Sequence, residues 1–149
     1  MVRKMREDDL PACLAILGQW NMAPRPPSAT VPDPERSAVD VGNGFVAECD
    51  GRIVGTCSYI VHSPALAETA SLAVDRGHKG GGVGYLLQQA RLEEMRARGI
   101  RTVRTETDRP ETIRWYVERF GYRIVGTNPK KHAFSLEDVD HWTVLELTL

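Results

Sequence analysis

The run from Leu72 to Leu87 holds the residues best placed to do chemistry. It reads Leu72-Ala73-Val74-Asp75, four further residues, then Lys79-Gly80-Gly81-Gly82-Val83-Gly84-Tyr85-Leu86-Leu87. Glu68 to Val74 alternates, with Ala70, Leu72 and Val74 on one face, which predicts a strand. The strand feeds a glycine-rich turn, and the turn opens a helix carrying Val83, Leu86, Leu87 and Ala90. Glycines let backbone N–H groups approach an anion with no Cβ in the way. A helix start adds unpaired donors and the positive end of the macrodipole. Lys79 contributes a point charge suited to phosphate. The arrangement suits a pyrophosphate. Two other phosphate loops are excluded. There is no G-x-x-x-x-G-K-[ST], and no glycine fills the third position of a dinucleotide fingerprint, where Leu87 follows Gly82 and Gly84.

The elements that must position this loop follow from local patterns. Val2 to Met5 predicts a first strand. Asp8 or Asp9 is expected to cap a helix with Pro11 in its first turn. The apolar face of that helix reads Leu10, Leu14 and Leu17, widened by Cys13, Ile16 and Trp20. Met22 to Asp40, with five prolines, reads as a long loop with a helical turn near Glu35 to Val41. Gly44 to Cys49 and Arg52 to Val61 form a hairpin around Asp50-Gly51. Arg98-Gly99 ends the helix after the glycine loop. Ile100 to Thr107 is a strand, and Pro110 begins a short helix with Ile113, Val117 and Phe120 at core spacing, broken by Gly121. Tyr122 to Thr127 and Trp142 to Leu149 are two final strands. The order predicts one α+β domain over residues 1–149: a mixed, mostly antiparallel sheet of six to seven strands with about four helices.

Composition narrows the function. Nineteen Lys and Arg against twenty Asp and Glu give a net charge of −1, so no field draws the chain to nucleic acid or membrane. The longest apolar stretch, Ile53 to Val61, is too short to span a bilayer, and the basic-then-acidic start does not read as a signal peptide. A cytoplasmic location is expected. Cys13, Cys49 and Cys57 are odd in number and lack C-x-x-C spacing. They are expected to be buried small hydrophobes, with no disulfide and no metal site.

Lys79-Gly80-Gly81-Gly82-Val83-Gly84 resembles the [Q/R]-x-x-G-x-[G/A] acetyl-CoA loop of the GNAT N-acetyltransferase superfamily. "ETASLAVDRGHKGGGVGYLL" is similar to that family's core motif from strand four into the following helix. "GFVAECDGRIVGTCSYIV" and "TIRWYVERFGYRIVG" resemble its second and third strands and its closing segment. The resemblance implies a sheet splayed between strands four and five and a pantetheine arm lying along strand four like an added strand. It implies backbone contacts at Leu72, Ala73 and Val74 and a phosphate cradle from Lys79, Gly80, Gly81, Gly82, Val83, Gly84 and Tyr85. The activity implied is transfer of acetyl from acetyl-CoA to a primary amine by direct attack, with a strand-four N–H stabilising the oxyanion. A homodimer matches the family's habit.

Glu68 stands where many members carry a general base, and Tyr116 is the candidate general acid for the CoA thiolate. The family's tyrosine lies four residues before the helix-ending glycine, where this chain has Val117. Tyr116 is one residue earlier, about 100° around a helix. Either the helix carries a one-residue adjustment or Tyr116 faces elsewhere. The second alternative keeps a further class in view, a non-catalytic acyl-CoA sensor. Met22 to Asp40 and Pro129 to His141 are the presumed acceptor loops. Glu137, Asp138 and Asp140 there can attract a cation. Trp20, Trp115 and Trp142 read as packing anchors, with a wall of the acceptor pocket as the alternative for Trp20. His62, His78, His132 and His141 show no ligand spacing, though His78 lies beside the phosphate loop.

Overall fold

The computed structural model describes residues 1–24, 39–130 and 135–149. The described strands are β1 (Val2–Lys4), β2 (Gly44–Cys49), β3 (Arg52–Ser63), β4 (Leu66–Val74), β5 (Thr102–Thr107), β6 (Arg123–Pro129) and β7 (His141–Thr148). The α-helices are α1 (Leu10–Gly18), α2 (Val83–Ala97) and α3 (Pro110–Phe120). The strands form one seven-stranded sheet in the order β1-β2-β3-β4-β5-β7-β6. Every neighbouring pair is antiparallel except β4 and β5, which run parallel. A parallel pair needs a crossover, and α2 supplies it.

The three α-helices compare with the four expected. Glu35 to Asp40, where a helical turn was expected, lies mostly outside the described residues. Its last expected residue, Val41, opens a short 3₁₀ turn, Val41–Asn43. At the β2–β3 hairpin both Asp50 (φ 52°) and Gly51 (φ 74°) are left-handed, as a two-residue hairpin turn requires.

Alternation along β2 separates two cores. Phe45 and Ala47 join the cluster under α2 and α3 with Val54, Tyr59, Leu87, Met95, Val103 and Leu145. Val46 joins Met5 and Cys13 on the opposite, α1 face. The α1 stripe is Cys13, Ile16 and Leu17, with Leu10 half-buried beside it; Leu14, expected in the stripe, is exposed. Leu86, expected in the α2 core face, is likewise exposed, whereas Gln88, Arg91 and Met95 are buried. Cys49 is exposed, unlike Cys13 and Cys57, because it ends β2 beside the hairpin turn.

Asp9 makes no side-chain cap on α1. Its carboxylate instead accepts from the Arg6 N–H at 2.8 Å and from both Arg3 nitrogens at 2.8 and 2.9 Å. The Arg3 guanidinium holds the Asp9 carboxyl below the usual carboxylate range. This pairing ties β1 to the segment leading into α1.

Gly55 sets the spacing between β3 and α2. A Cβ there would stand 2.9 Å from both Leu87 Cδ1 and Val83 Cγ1. Only a residue without a Cβ lets the start of α2 lie this close to the sheet. Gly55→Val is expected to lower the unfolding free energy by about 1–3 kcal/mol through overpacking, read from a urea transition midpoint. A variant as stable as the parent would show that α2 can lift without cost.

Candidate active site

The β4–β5 ladder is short. Leu66, Ala67 and Glu68 pair with Thr102, Val103 and Arg104, and both strands then continue unpaired with each other. Thr69 to Val74 on one side and Thr105 to Thr107 on the other line a cleft of about 910 Å³. The splay expected between the fourth and fifth strands is therefore present, and it opens beyond Glu68.

A bulge shapes the β4 wall. Ser58 pairs with Ala70 and Thr56 with Ala73, so Ser71 and Leu72 together oppose Cys57. Ser71 has φ 59°, a left-handed conformation that a non-glycine residue adopts at a cost. Such a bulge re-aims the strand toward whatever lies beside it.

At the far end of β4 lies the glycine loop. Gly80 (φ 88°) and Gly82 (φ 84°) are left-handed, and a Cβ at either would meet nothing within 4 Å. Gly82 is the residue before α2, and it offers no side-chain cap. The first-turn N–H groups of α2 have no intrahelical acceptor, so they remain available to an anion. Lys79, Gly80, Gly82, Val83, Gly84 and Tyr85 all border the cleft, as do Leu72, Ala73 and Val74. Gly81 does not. A Cβ on it would stand 3.6 Å from the His78 carbonyl oxygen.

The loop is braced from α1. Asp75 accepts from Gln19 Nε2 at 2.8 Å and meets His78 Nδ1 at 3.0 Å, and these two partners hold its carboxyl below the ordinary range. Trp20 Nε1 donates to the Val74 carbonyl at 2.9 Å. The cations of Arg76, Lys79 and Arg109 lie 4.4, 5.2 and 5.3 Å from the Trp20 ring centroid. Trp20 thus walls the cleft while packing against the Ile16, Leu17 and Ala73 cluster.

Glu68 and Tyr116 both face the cleft. Glu68 Oε1 is 2.8 Å from Nε2 of His62, a residue the sequence offered no reason to select. Tyr116 is 3% exposed, whereas Val117 is exposed on the outer side of α3. The α3 helix is regular from Pro110 to Phe120, so Tyr116, and not Val117, lies on the inward face. Beneath the cleft, Arg91 is fully buried and donates to Tyr116 Oη, the Ser58 and Ala70 carbonyls and Gln88 Oε1 at 3.0, 3.0, 3.1 and 2.6 Å. Gln88 in turn donates to Tyr122 Oη at 2.9 Å, and burial raises the Tyr122 phenol above its ordinary range. Sequence reasoning missed Arg91 and Gln88. The signal was there in the spacing of Leu87, Leu92 and Met95, which puts positions 88 and 91 inside the same stripe.

The opposite rim is held by Asp108, at the end of β5. It takes Lys130 Nζ at 2.6 Å and the Leu136 N–H at 2.9 Å, and Lys130 also donates to the Leu136 carbonyl at 2.6 Å. Asn21 and Ser135 exchange two hydrogen bonds, Ser135 N–H to Asn21 O at 3.0 Å and Asn21 Nδ2 to Ser135 O at 3.3 Å. These contacts join the segment after α1 to the connection between β6 and β7 across the cleft. Among the described residues no group of three His, Cys, Asp or Glu side chains could hold a metal ion. None of the described helices is long and apolar enough to cross a membrane.

The site is thus a pair of parallel strands parting over a long cleft, with an uncapped helix start behind glycines at one end. The chain belongs to the acetyltransferase (GNAT) family, whose model matches residues 7–122. Solved structures share the architecture. Ard1 from Thermoplasma volcanium is 20% identical with a TM-score of 0.75, over 100% of this chain and 97% of that one. The ribosomal-protein-S18-alanine N-acetyltransferase from Escherichia coli is 20% identical with a TM-score of 0.74, over 99% and 92%. Rv2747 from Mycobacterium tuberculosis, solved in complex with CoA and NLQ, is 18% identical with a TM-score of 0.71, over 100% and 99%. At these identities the likeness is one of fold.

The Asp108–Lys130 pair is 1% and 4% exposed. Asp108→Ala is expected to cost about 3–5 kcal/mol, because it removes the carboxylate that faces a buried ammonium. Chemical denaturation measures the loss. A change within error would show that Lys130 finds water or another acceptor.

Proposed function

We propose that this chain transfers the acetyl group of acetyl-CoA to a primary amine. The observation that carries the reading is the continuity of one cleft from the glycine loop, past the β4 bulge, to Glu68 and Tyr116. The cleft fits the donor: its loop end is open at Gly80 and Gly82, its length follows the free side of β4, and its middle is lined by Leu72, Ala73, Val74 and Trp115.

When bound, acetyl-CoA supplies an activated carbonyl and a thiol leaving group. Lys79 and the amides at the start of α2 hold the pyrophosphate. The backbone of Leu72, Ala73 and Val74 holds the pantetheine arm in the manner of an added strand, and an N–H beside the bulge faces the developing oxyanion. Glu68 takes the proton the amine must lose, directly or through water, and His62 at 2.8 Å gives that proton a route to solvent. Tyr116 protonates the departing sulfur. The acceptor enters between Trp20 and the β6–β7 connection, where the chemistry leaves a small molecule, a peptide N-terminus and a protein lysine all open. The sensor alternative drew its support from a tyrosine facing elsewhere, and Tyr116 lines the cleft.

Acetyl-CoA at a hundred times its Kd is expected to add about 2.7 kcal/mol of stability, seen as a thermal shift. Gly82→Val, which strains a left-handed position and covers the loop amides, should remove that shift. An undiminished shift in the variant would place the phosphates elsewhere.

A screen of primary amines, read by release of free thiol, tests the reaction. With the best acceptor, Glu68→Gln is expected to lower kcat by about 10²-fold or more at neutral pH while acetyl-CoA binding persists. Acetyl-CoA binding with no turnover of any amine would favour the sensor.

A further inference from the structure

Arg91 is the largest fully buried side chain described, and it is charged. Its four acceptors, Gln88 Oε1, the Ser58 and Ala70 carbonyls and Tyr116 Oη, are all neutral. Among the described residues it has no carboxylate partner. A buried cation without a counter-ion is costly, and an apolar side chain of similar volume often serves stability as well or better. Its contacts with Ser58, Ala70 and Gln88 brace the bulge and the helix. The fourth, to Tyr116, reaches out of that brace to the cleft.

The direction of this fourth bond matters. A guanidinium only donates, so Tyr116 Oη must accept from Arg91 Nη2 at 3.0 Å. The phenol's own proton therefore points away from Arg91. Among the described residues Tyr116 Oη has no second partner, and the surface it borders is the cleft. The ring is fixed on its other sides by Trp115 and Tyr122, with centroids 5.1 and 4.9 Å away.

We propose that Arg91 is a positioning residue that aims the Tyr116 hydroxyl proton into the cleft and stabilises the charge the phenol acquires on giving that proton up. The inference rests on the acetyl-transfer reading above. In that reaction the C–N bond forms as the C–S bond breaks, and the electron pair leaves on sulfur. The Tyr116 O–H bond breaks, its proton closes the thiol S–H bond, and the phenolate remains beside the Arg91 cation. A proton from solvent restores the phenol, matching the one the amine lost through Glu68.

The test is a double-mutant cycle of the full chain, comparing parent, Arg91→Met, Tyr116→Phe and the double variant. Thiol release from acetyl-CoA is followed with the best amine of the screen, or with water as acceptor where no amine exceeds it. Tyr116→Phe is expected to lower kcat by about 10²-fold or more, in the range of a lost general acid. Arg91→Met should lower kcat about 10-fold or more, leave the acetyl-CoA KM within about 2-fold, and leave the melting temperature unchanged or raised. In the Tyr116→Phe background the Arg91 substitution should change kcat by no more than about 2-fold. Unaltered kcat in Arg91→Met, or the same loss with and without Tyr116, would overturn the proposal and leave Arg91 a brace of the bulge. Unaltered kcat in Tyr116→Phe, where Arg91 is intact, would instead overturn the acid itself. If Arg91→Met does not fold, Arg91→Lys, which keeps a buried cation but not the planar fork, takes its place in the same cycle under the same criteria.

Discussion

The structure depends on the point at which two parallel strands stop pairing. After Glu68 and Arg104 the β4 and β5 backbones run on without exchanging hydrogen bonds. Strand edges inside a sheet carry donors and acceptors that demand partners. Here part of the demand is met from within, where Trp20 donates to the Val74 carbonyl. The rest faces a cleft long enough for an extended ligand. The splay is stable because other interactions hold its walls. Arg91 and Gln88 brace one from beneath, and the Asp108–Lys130 pair braces the other at its rim.

This division of labour explains why the polar residues of the interior are concentrated around the cleft. The α2 cluster is apolar toward β2, β3 and the far end of β5, through Leu92, Met95, Val54 and Val103. Toward the bulge the same helix presents Gln88 and Arg91. The bulge leaves the Ser58 and Ala70 carbonyls facing this helix, and Arg91 Nη1 donates to both, which frees Nη2 for Tyr116. Glu68 lies at the closed end of the cleft, where a proton must leave, and Lys79 at its loop end, where phosphates are expected.

Much of the fold was legible beforehand. The hairpin at Asp50-Gly51, the strand–glycine loop–helix unit and the break at Gly121 are short-range features, decided by backbone freedom and periodicity within a few residues. The loop glycines followed from the same unit, whereas the wall at Leu72 to Val74 was expected only from the family resemblance. The errors were those of side-chain facing. Leu14 and Leu86 fit an apolar stripe by type yet are exposed, and Arg91 and Gln88 are polar yet buried. A helix's inward face is set by what it packs against, and a stripe read from residue types alone can be off by a third of a turn.

By itself the sequence determined that a strand would deliver a glycine-rich turn to a helix start, because glycine conformations and helix-end donors are local properties of the chain. It determined too that Glu68 would sit at the root of that strand. Which way Tyr116 turns, that His62 meets Glu68 from β3, and that the buried Arg91 on α2 joins the bulge to the phenol were decided only in the tertiary structure. Arg91 and Tyr116 stand 25 positions apart and meet only where α2 and α3 are buried against each other, and His62 and Glu68, six positions apart, meet only through the register in which β3 pairs with β4.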